Sequence, residues 1–264
     1  MNNLSVATGM VDDDDAPITQ GRPTNDDRGL LARYGEIAQL VGGLAHEIRN
    51  PLSTMGLNLD LLAEEFPNPE TTRDKRIVQK LQRVRKETRR LQDILEDFLR
   101  FARVHELRLQ RVALDRVVDD MGDFCEPQCL VGGIVPRIHH ENAGLLVELD
   151  TDLFKQALLN LILNAQNAMP DGGELILRTR TEGPWVILDV IDTGCGMDLQ
   201  TAARAFEPFF STRSGGSGLG LPTTRKMVEA HGGSVSLRTE PGLGSQFTVR
   251  LPKASDEHQE ARGV

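Results

Sequence analysis

Residues 44–52 read LAHEIRNPL: a histidine, a glutamate directly after it and a proline five residues on, set inside an apolar repeat. Ile37, Val41, Leu44, Ile48, Leu52, Met55, Leu59 and Leu62 recur at spacings of three and four. That is the pattern of a helix whose apolar seam faces another helix. His46 lies two positions from both Leu44 and Ile48, roughly 200° around the helix from each. A histidine packed in the core would sit on the seam, so the spacing exposes His46 instead. Pro51 cannot donate a helical hydrogen bond and would free the Glu47 carbonyl, which predicts a bend just beyond the histidine.

Outward from this stretch, FPNPETT interrupts the repeat with two prolines, and a second repeat follows. Ile77, Leu81, Val84, Thr88, Leu91, Leu95, Phe98 and Ala102 again fall three or four apart, with the basic run RVRKETRR between them. Two long amphipathic helices joined by a short loop predict an antiparallel hairpin. One hairpin gives each seam a single neighbour. A four-helix bundle made by two chains would bury both, so a homodimer is expected. The basic run reads as a solvated face that could also touch a partner.

The whole chain has 264 residues, enough for two modest domains. Lys and Arg number 30 against 39 Asp and Glu, a net charge of −9, which argues against nucleic acid as partner. No apolar run approaches the roughly 18 to 20 residues of a membrane span, and no signal-peptide pattern opens the chain. Three cysteines without a framework spacing fit a reducing, cytoplasmic setting. Residues 1–29 are polar and rich in aspartate, so a disordered tail is predicted there, with a second polar tail over 254–264.

Between these limits lie two predicted domains, 30–106 and 107–253. The second alternates short strands (LRLQRVAL, IVPRIHH, LLVELD) with helices near 114–129 and over DTDLFKQALLNLILNAQNAM. ELILRTRTEG and PWVILDVIDTG read as paired strands with a Gly-Pro turn between them. A helix around 221–231 and the strands SVSLRTE and SQFTVRLP complete the domain. The predicted architecture is an α+β sandwich, helices on one face of a mixed sheet.

Three stretches of this domain carry chemistry. STRSGGSGLGLP places Gly215, Gly216, Gly218 and Gly220 before a helix start, where backbone N–H groups and the helix dipole suit a phosphate. A merely flexible loop would look the same. DTGCGM, 192–197, ends an apolar strand: Asp192 could accept a hydrogen bond from the exocyclic amine of adenine, with Gly194 and Gly196 letting a ring approach. It could equally be a strand-ending Asx turn. Asn160 and Asn164 share one helix face, as oxygen ligands for Mg²⁺ or as helix-packing amides. Cys125 and Cys129, with His139 and His140 nearby, read as buried thiols rather than a zinc site. Cys195, between two glycines, could be accessible.

Taken together, LAHEIRNPL, NLILNAQNA, DTGCGM, FEPFFSTR, GSGLGL and PGLGSQF, in this order, resemble a two-component sensor histidine kinase, most like the nitrogen-regulation type. The resemblance covers about 31–252. It implies a dimerisation and histidine-phosphotransfer hairpin followed by a Bergerat-type ATP-binding sandwich. By resemblance His46 is the phosphoacceptor, Glu47 orients its ring and serves as general base, and Asn50 positions water to hydrolyse a partner's phospho-aspartate. Asn164 is implied as the Mg²⁺ ligand and Asn160 as its support. Asn167 stands where many relatives carry lysine, and Arg213 is the alternative cation for the γ-phosphate. Asp192, Gly194, Gly196, Gly216, Gly218, Leu219 and Gly220 are implied to line the ATP site. Phe206, Phe209 and Phe210 would pin a lid, and Gly242 and Gly244 would shape the pocket. The implied activity is ATP-dependent autophosphorylation and transfer to an aspartate of a separate response regulator. A net phosphatase, a Bergerat-fold ATPase or Ser/Thr kinase, and a scaffold with a degenerate pocket are the rival readings.

Overall fold

The structure, a computed structural model, describes residues 48–102, 107–213 and 216–254. His46, Glu47 and Gly215, the acidic segment 1–29 and residues 255–264 lie outside the described residues.

Helix α1 covers 48–64 and runs through Pro51, which stands close to where the described helix starts. Helix α2, Thr72–Ala102, returns alongside it. Thr71 and Asp74 close its N-terminus reciprocally: the Asp74 amide donates to Thr71 Oγ1 and the Thr71 amide to the Asp74 carboxylate, as in a capping box. Across the hairpin, Arg85 Nε lies 2.7 Å from Asp60 Oδ1, tying the register of the two helices. Part of the apolar stripe remains uncovered within one chain. Met55, Leu62, Val84 and Leu91 are all exposed.

The second domain is built on a five-stranded sheet in the order β2-β4-β5-β7-β6. Its strands are β2 (Ile134–His140), β4 (Gly173–Glu182), β5 (Trp185–Asp192), β6 (Ser234–Glu240) and β7 (Gly244–Pro252). Only β2 and β4 run parallel; the other neighbours are antiparallel. The expected Gly-Pro turn joins β4 to β5, with Gly183 at φ 58°. Strand alternation sends Leu175, Leu177, Val186, Leu188, Val190, Phe247, Val249 and Leu251 to one face. On that face they meet α3 (Leu114–Val131), α4 (Thr151–Ala168) and α6 (Gly220–Ala230), which close the core. Cys125 and Cys129 lie inside it, and burial together with the neighbouring Cys129 pushes the Cys125 thiol up.

Two features were not anticipated. Strands β1 (Gln110–Ala113) and β3 (Leu146–Leu149) form a separate antiparallel ribbon rather than joining the main sheet. A short helix α5 (Leu199–Arg204) follows DTGCGM, capped by Asp198, whose side chain accepts the Thr201 amide at 2.7 Å. An aspartate three residues before a threonine amide is a recognisable N-cap, so this helix left a readable signal.

On the outer face of the sheet Asp189 is fully buried. Arg178, Arg180, Gln246 and Thr248 all bond to its carboxylate. Burial alone would raise its pKa. The bonds from Thr248, Arg178 and Gln246 and the charge of Arg180 outweigh that and hold it below the usual carboxylate range.

Candidate active site

A cleft of about 840 Å³ opens between α4, the DTGCGM turn, the glycine-rich loop and the end of α2. It is large enough for a nucleotide-sized ligand.

At one end stands Asp192, the last residue of β5, only 3% exposed. Its Oδ1 accepts the Gly194 amide at 2.9 Å. Burial pushes its pKa up, opposed by the amides of Gly194 and Ser245. The Asx-turn reading of this motif is therefore correct as geometry, and the carboxylate also faces the cleft.

Glycines around Asp192 serve backbone packing. Gly196 has φ +62°, and a Cβ there would stand 1.9 Å from the Glu240 carbonyl. Gly244 has φ +91°, and a Cβ there would stand 2.0 Å from the Asp192 carbonyl. A side chain at Gly244 would displace the end of the strand that presents Asp192, and one at Gly196 would shift the turn after it away from β6. Gly194 faces Ala168 of α4 and is not part of the cleft wall. Its expected role, clearing room for a ring, gives way to packing against a helix end.

The floor is α4. Asn160, Asn164 and Asn167 all line the cleft, the first two on the shared face that their spacing predicts. Asn160 Nδ2 donates to the Gly220 carbonyl at 3.3 Å, so it holds the start of α6 while its oxygen is left over. Asn167 Nδ2 donates to the Leu163 carbonyl one turn back in its own helix. The Asn164 side chain forms no hydrogen bond among the described residues, which leaves its amide free at the cleft wall. An oxygen donor without a protein partner suits a hard divalent cation that retains waters.

At the other end lie Gly216, Gly218 and Gly220, with Arg213 exposed beside them. Leu219 does not line the cleft: it is fully buried, and its amide donates to Ser217 Oγ at 3.3 Å. Helix α6 begins at Gly220 and points its N-terminus at this end, an arrangement suited to anions. Of the phenylalanines, Phe206 packs edge-on against Phe247 beneath the Arg225 guanidinium, and Phe210 lies under Arg204. Phe209 takes φ 64° and stacks against Phe98 of α2. Phe206 is a packing residue, Phe210 also lines the cleft, and Phe209 packs on the hairpin.

Asn50 is exposed on α1, where its carbonyl accepts the Thr54 hydroxyl. The histidine and glutamate of the same motif fall outside the described residues. The sequence reading missed Asp93 and Asp97 of α2 and Asp198, all of which line the cleft. Only Asp198 carried a local signal. Among the described residues no helix is long and apolar enough to cross a membrane.

Comparison with known proteins follows the same division. Residues 36–107 match the family model of the His Kinase A (phospho-acceptor) domain. Residues 149–255 match that of the histidine kinase-, DNA gyrase B- and HSP90-like ATPases. The signal transduction histidine-protein kinase AtoS of Escherichia coli (strain K12) is 28% identical over 241 residues, 89% of this chain and 38% of AtoS. The sensor histidine kinase ZraS of Klebsiella oxytoca is 32% identical over 225 residues, 85% of this chain and 48% of ZraS. The chain thus spans less than half the length of either relative. Among solved structures, full-length ShkA in complex with AMPPNP superposes with a TM-score of 0.65 at 28% identity, covering 82% of this chain and 46% of that one. Histidine kinase ThkA in complex with response regulator protein TrrA gives 0.62 at 25% identity, covering 87% and 65%. With a phospho-acceptor region followed by an ATPase region, the chain belongs to the sensor histidine kinase family.

Proposed function

We propose that the chain binds ATP–Mg²⁺ in this cleft, transfers the γ-phosphoryl group to His46, and passes it on to an aspartate of a separate response regulator. The observation that carries this reading is the polarity of the cleft. A buried carboxylate stands at one end, an unpartnered asparagine amide on the floor, and a glycine-rich loop with a helix N-terminus at the other.

Asp192 accepts the adenine exocyclic amine, its geometry held by the Gly194 and Ser245 amides. Asn164, supported by Asn160, offers oxygen to a Mg²⁺ ion; when bound, that ion would neutralise phosphate charge. The loop 216–220 and Arg213 hold the phosphates, and Asn167 contributes hydrogen bonding without charge. One nitrogen of a neutral His46 imidazole attacks the γ-phosphorus as the bond from that phosphorus to the β,γ-bridging oxygen breaks and ADP leaves; Glu47 accepts the hydrogen bond of the other nitrogen's N–H and, as general base, its proton. Asn50, four residues on and exposed, supports a phosphatase activity on the regulator. The exposed part of the hairpin seam supports a homodimer, and three free thiols support a cytoplasmic setting. Domain limits of 30–106 and 107–253 accompany this reading.

Purified protein incubated with ATP–Mg²⁺ should acquire acid-labile phosphate, and His46→Gln should abolish it. Persistence of the label in His46→Gln rejects the proposal, as does absence of label in the wild type. Asn50→Ala should reduce dephosphorylation of a regulator while nucleotide binding stays intact.

A further inference from the structure

Helix α2 belongs to the hairpin, yet its last turns form a wall of the nucleotide cleft through Asp93 and Asp97. Three contacts keep it there. Asp97 Oδ2 accepts the Ser217 hydroxyl at 2.6 Å. Phe98 stacks on Phe209 with ring centroids 6.5 Å apart. The Phe101 carbonyl, in the last turn of α2, accepts Lys226 Nζ at 2.9 Å, and burial pushes that lysine's pKa down. Ser217 is the hinge of the arrangement, because the same oxygen accepts the Leu219 amide just before α6.

The charge consequence is direct. Asp93 and Asp97 bring two carboxylates to the phosphate end, where Arg213 is the cation lining the cleft among the described residues. A triphosphate carries more negative charge into that end than a diphosphate does. Carboxylates in a partly desolvated cleft act on phosphates far more strongly than they would across bulk water.

We propose that Asp97 is a specificity-determining residue of the nucleotide cleft. Bonded to Ser217, it holds α2 against the phosphate end and makes the docked arrangement favour a nucleoside diphosphate over the triphosphate. This rests on the nucleotide reading of the cleft given above. Asn at position 97 can still accept the Ser217 hydroxyl but carries no charge. Ala at position 217 leaves the charge and removes the bond.

The test is calorimetric titration of the full chain with ADP and with a non-hydrolysable ATP analogue, both with Mg²⁺, for wild type, Asp97→Asn and Ser217→Ala. Asp97→Asn should shift the ratio of the two affinities toward the triphosphate by about fivefold, the size of one partly screened charge interaction. Ser217→Ala should move it in the same direction by a smaller amount, because Asp97 is no longer held at the phosphate end while the Phe98–Phe209 and Lys226–Phe101 contacts remain. A ratio unchanged in Asp97→Asn overturns the proposal while leaving the nucleotide site standing. An unchanged ratio in Ser217→Ala alone overturns the part played by the bond. If wild type binds neither nucleotide, the reading of the cleft falls and the proposal with it.

Discussion

His231 joins the two helices that frame the cleft: its Nε2 accepts the backbone N–H of Asp150 at 3.0 Å, across 81 residues of sequence. Because an amide can only donate, the ring proton resides on Nδ1, which donates to the Met227 carbonyl. The Asp150 side chain then caps α4 by accepting the Leu153 amide. A leucine at position 231 would leave the Asp150 amide without its acceptor in a part-buried setting. His231→Leu should lower stability by about 1–3 kcal/mol in urea unfolding, with nucleotide affinity weakened because α4 carries Asn160 and Asn164.

Asp192 should make nucleotide binding sensitive to acid. Its folded pKa is raised by burial, so its negative charge costs stability above that pKa, a cost absent at low pH. Only the charged form accepts an amine proton well. Nucleotide affinity should therefore decline as pH falls, starting above the ordinary aspartate value of about 3.9. Asp192→Asn should weaken binding about tenfold or more at neutral pH, consistent with loss of a charge-assisted bond. A pH-independent affinity between about 4 and 7 would contradict the assignment.

Asp189 should govern acid stability instead of binding. Its pKa is depressed, so the stability it contributes is present above the ordinary aspartate range and lost as pH falls through the lowered value. Asp189→Ala would leave Arg178 and Arg180 facing each other without their shared counter-ion. A loss of about 3–5 kcal/mol is expected, read from chemical denaturation.

The exposed stripe Met55, Leu62, Val84 and Leu91 should be the dimer seam. Leu91→Glu would place a charge in that apolar contact. Analytical ultracentrifugation should then show a monomer, with the second domain still folded by circular dichroism, since its core is separate. A variant that remains fully dimeric would move the seam elsewhere.

Gly196 offers a steric check on the DTGCGM turn. Gly196→Ala combines a positive φ with a Cβ overlapping the Glu240 carbonyl, so the turn must shift. Nucleotide affinity should drop severalfold alongside a loss of about 1–3 kcal/mol in stability. An unchanged thermal midpoint would argue against the packing described.

Much of this protein was written locally in its chain. Spacings of three and four set the two hairpin helices, because helix periodicity is a property of neighbouring residues. Alternation set the strands of the sheet and the face each buries, and the asparagine spacing on α4 set which amides reach the cleft. The tertiary structure decided what depends on residues far apart in sequence. Only the folded chain brings Asp97 to Ser217, 120 residues later, and pairs β1 with β3 apart from the main sheet. It also decided that Gly194 packs on Ala168, and that Asp189 gathers arginines from one neighbouring strand and polar side chains from the other. No local period announces such partners. Their hydrogen bonds form only after the apolar faces have packed and brought the strands and helices together.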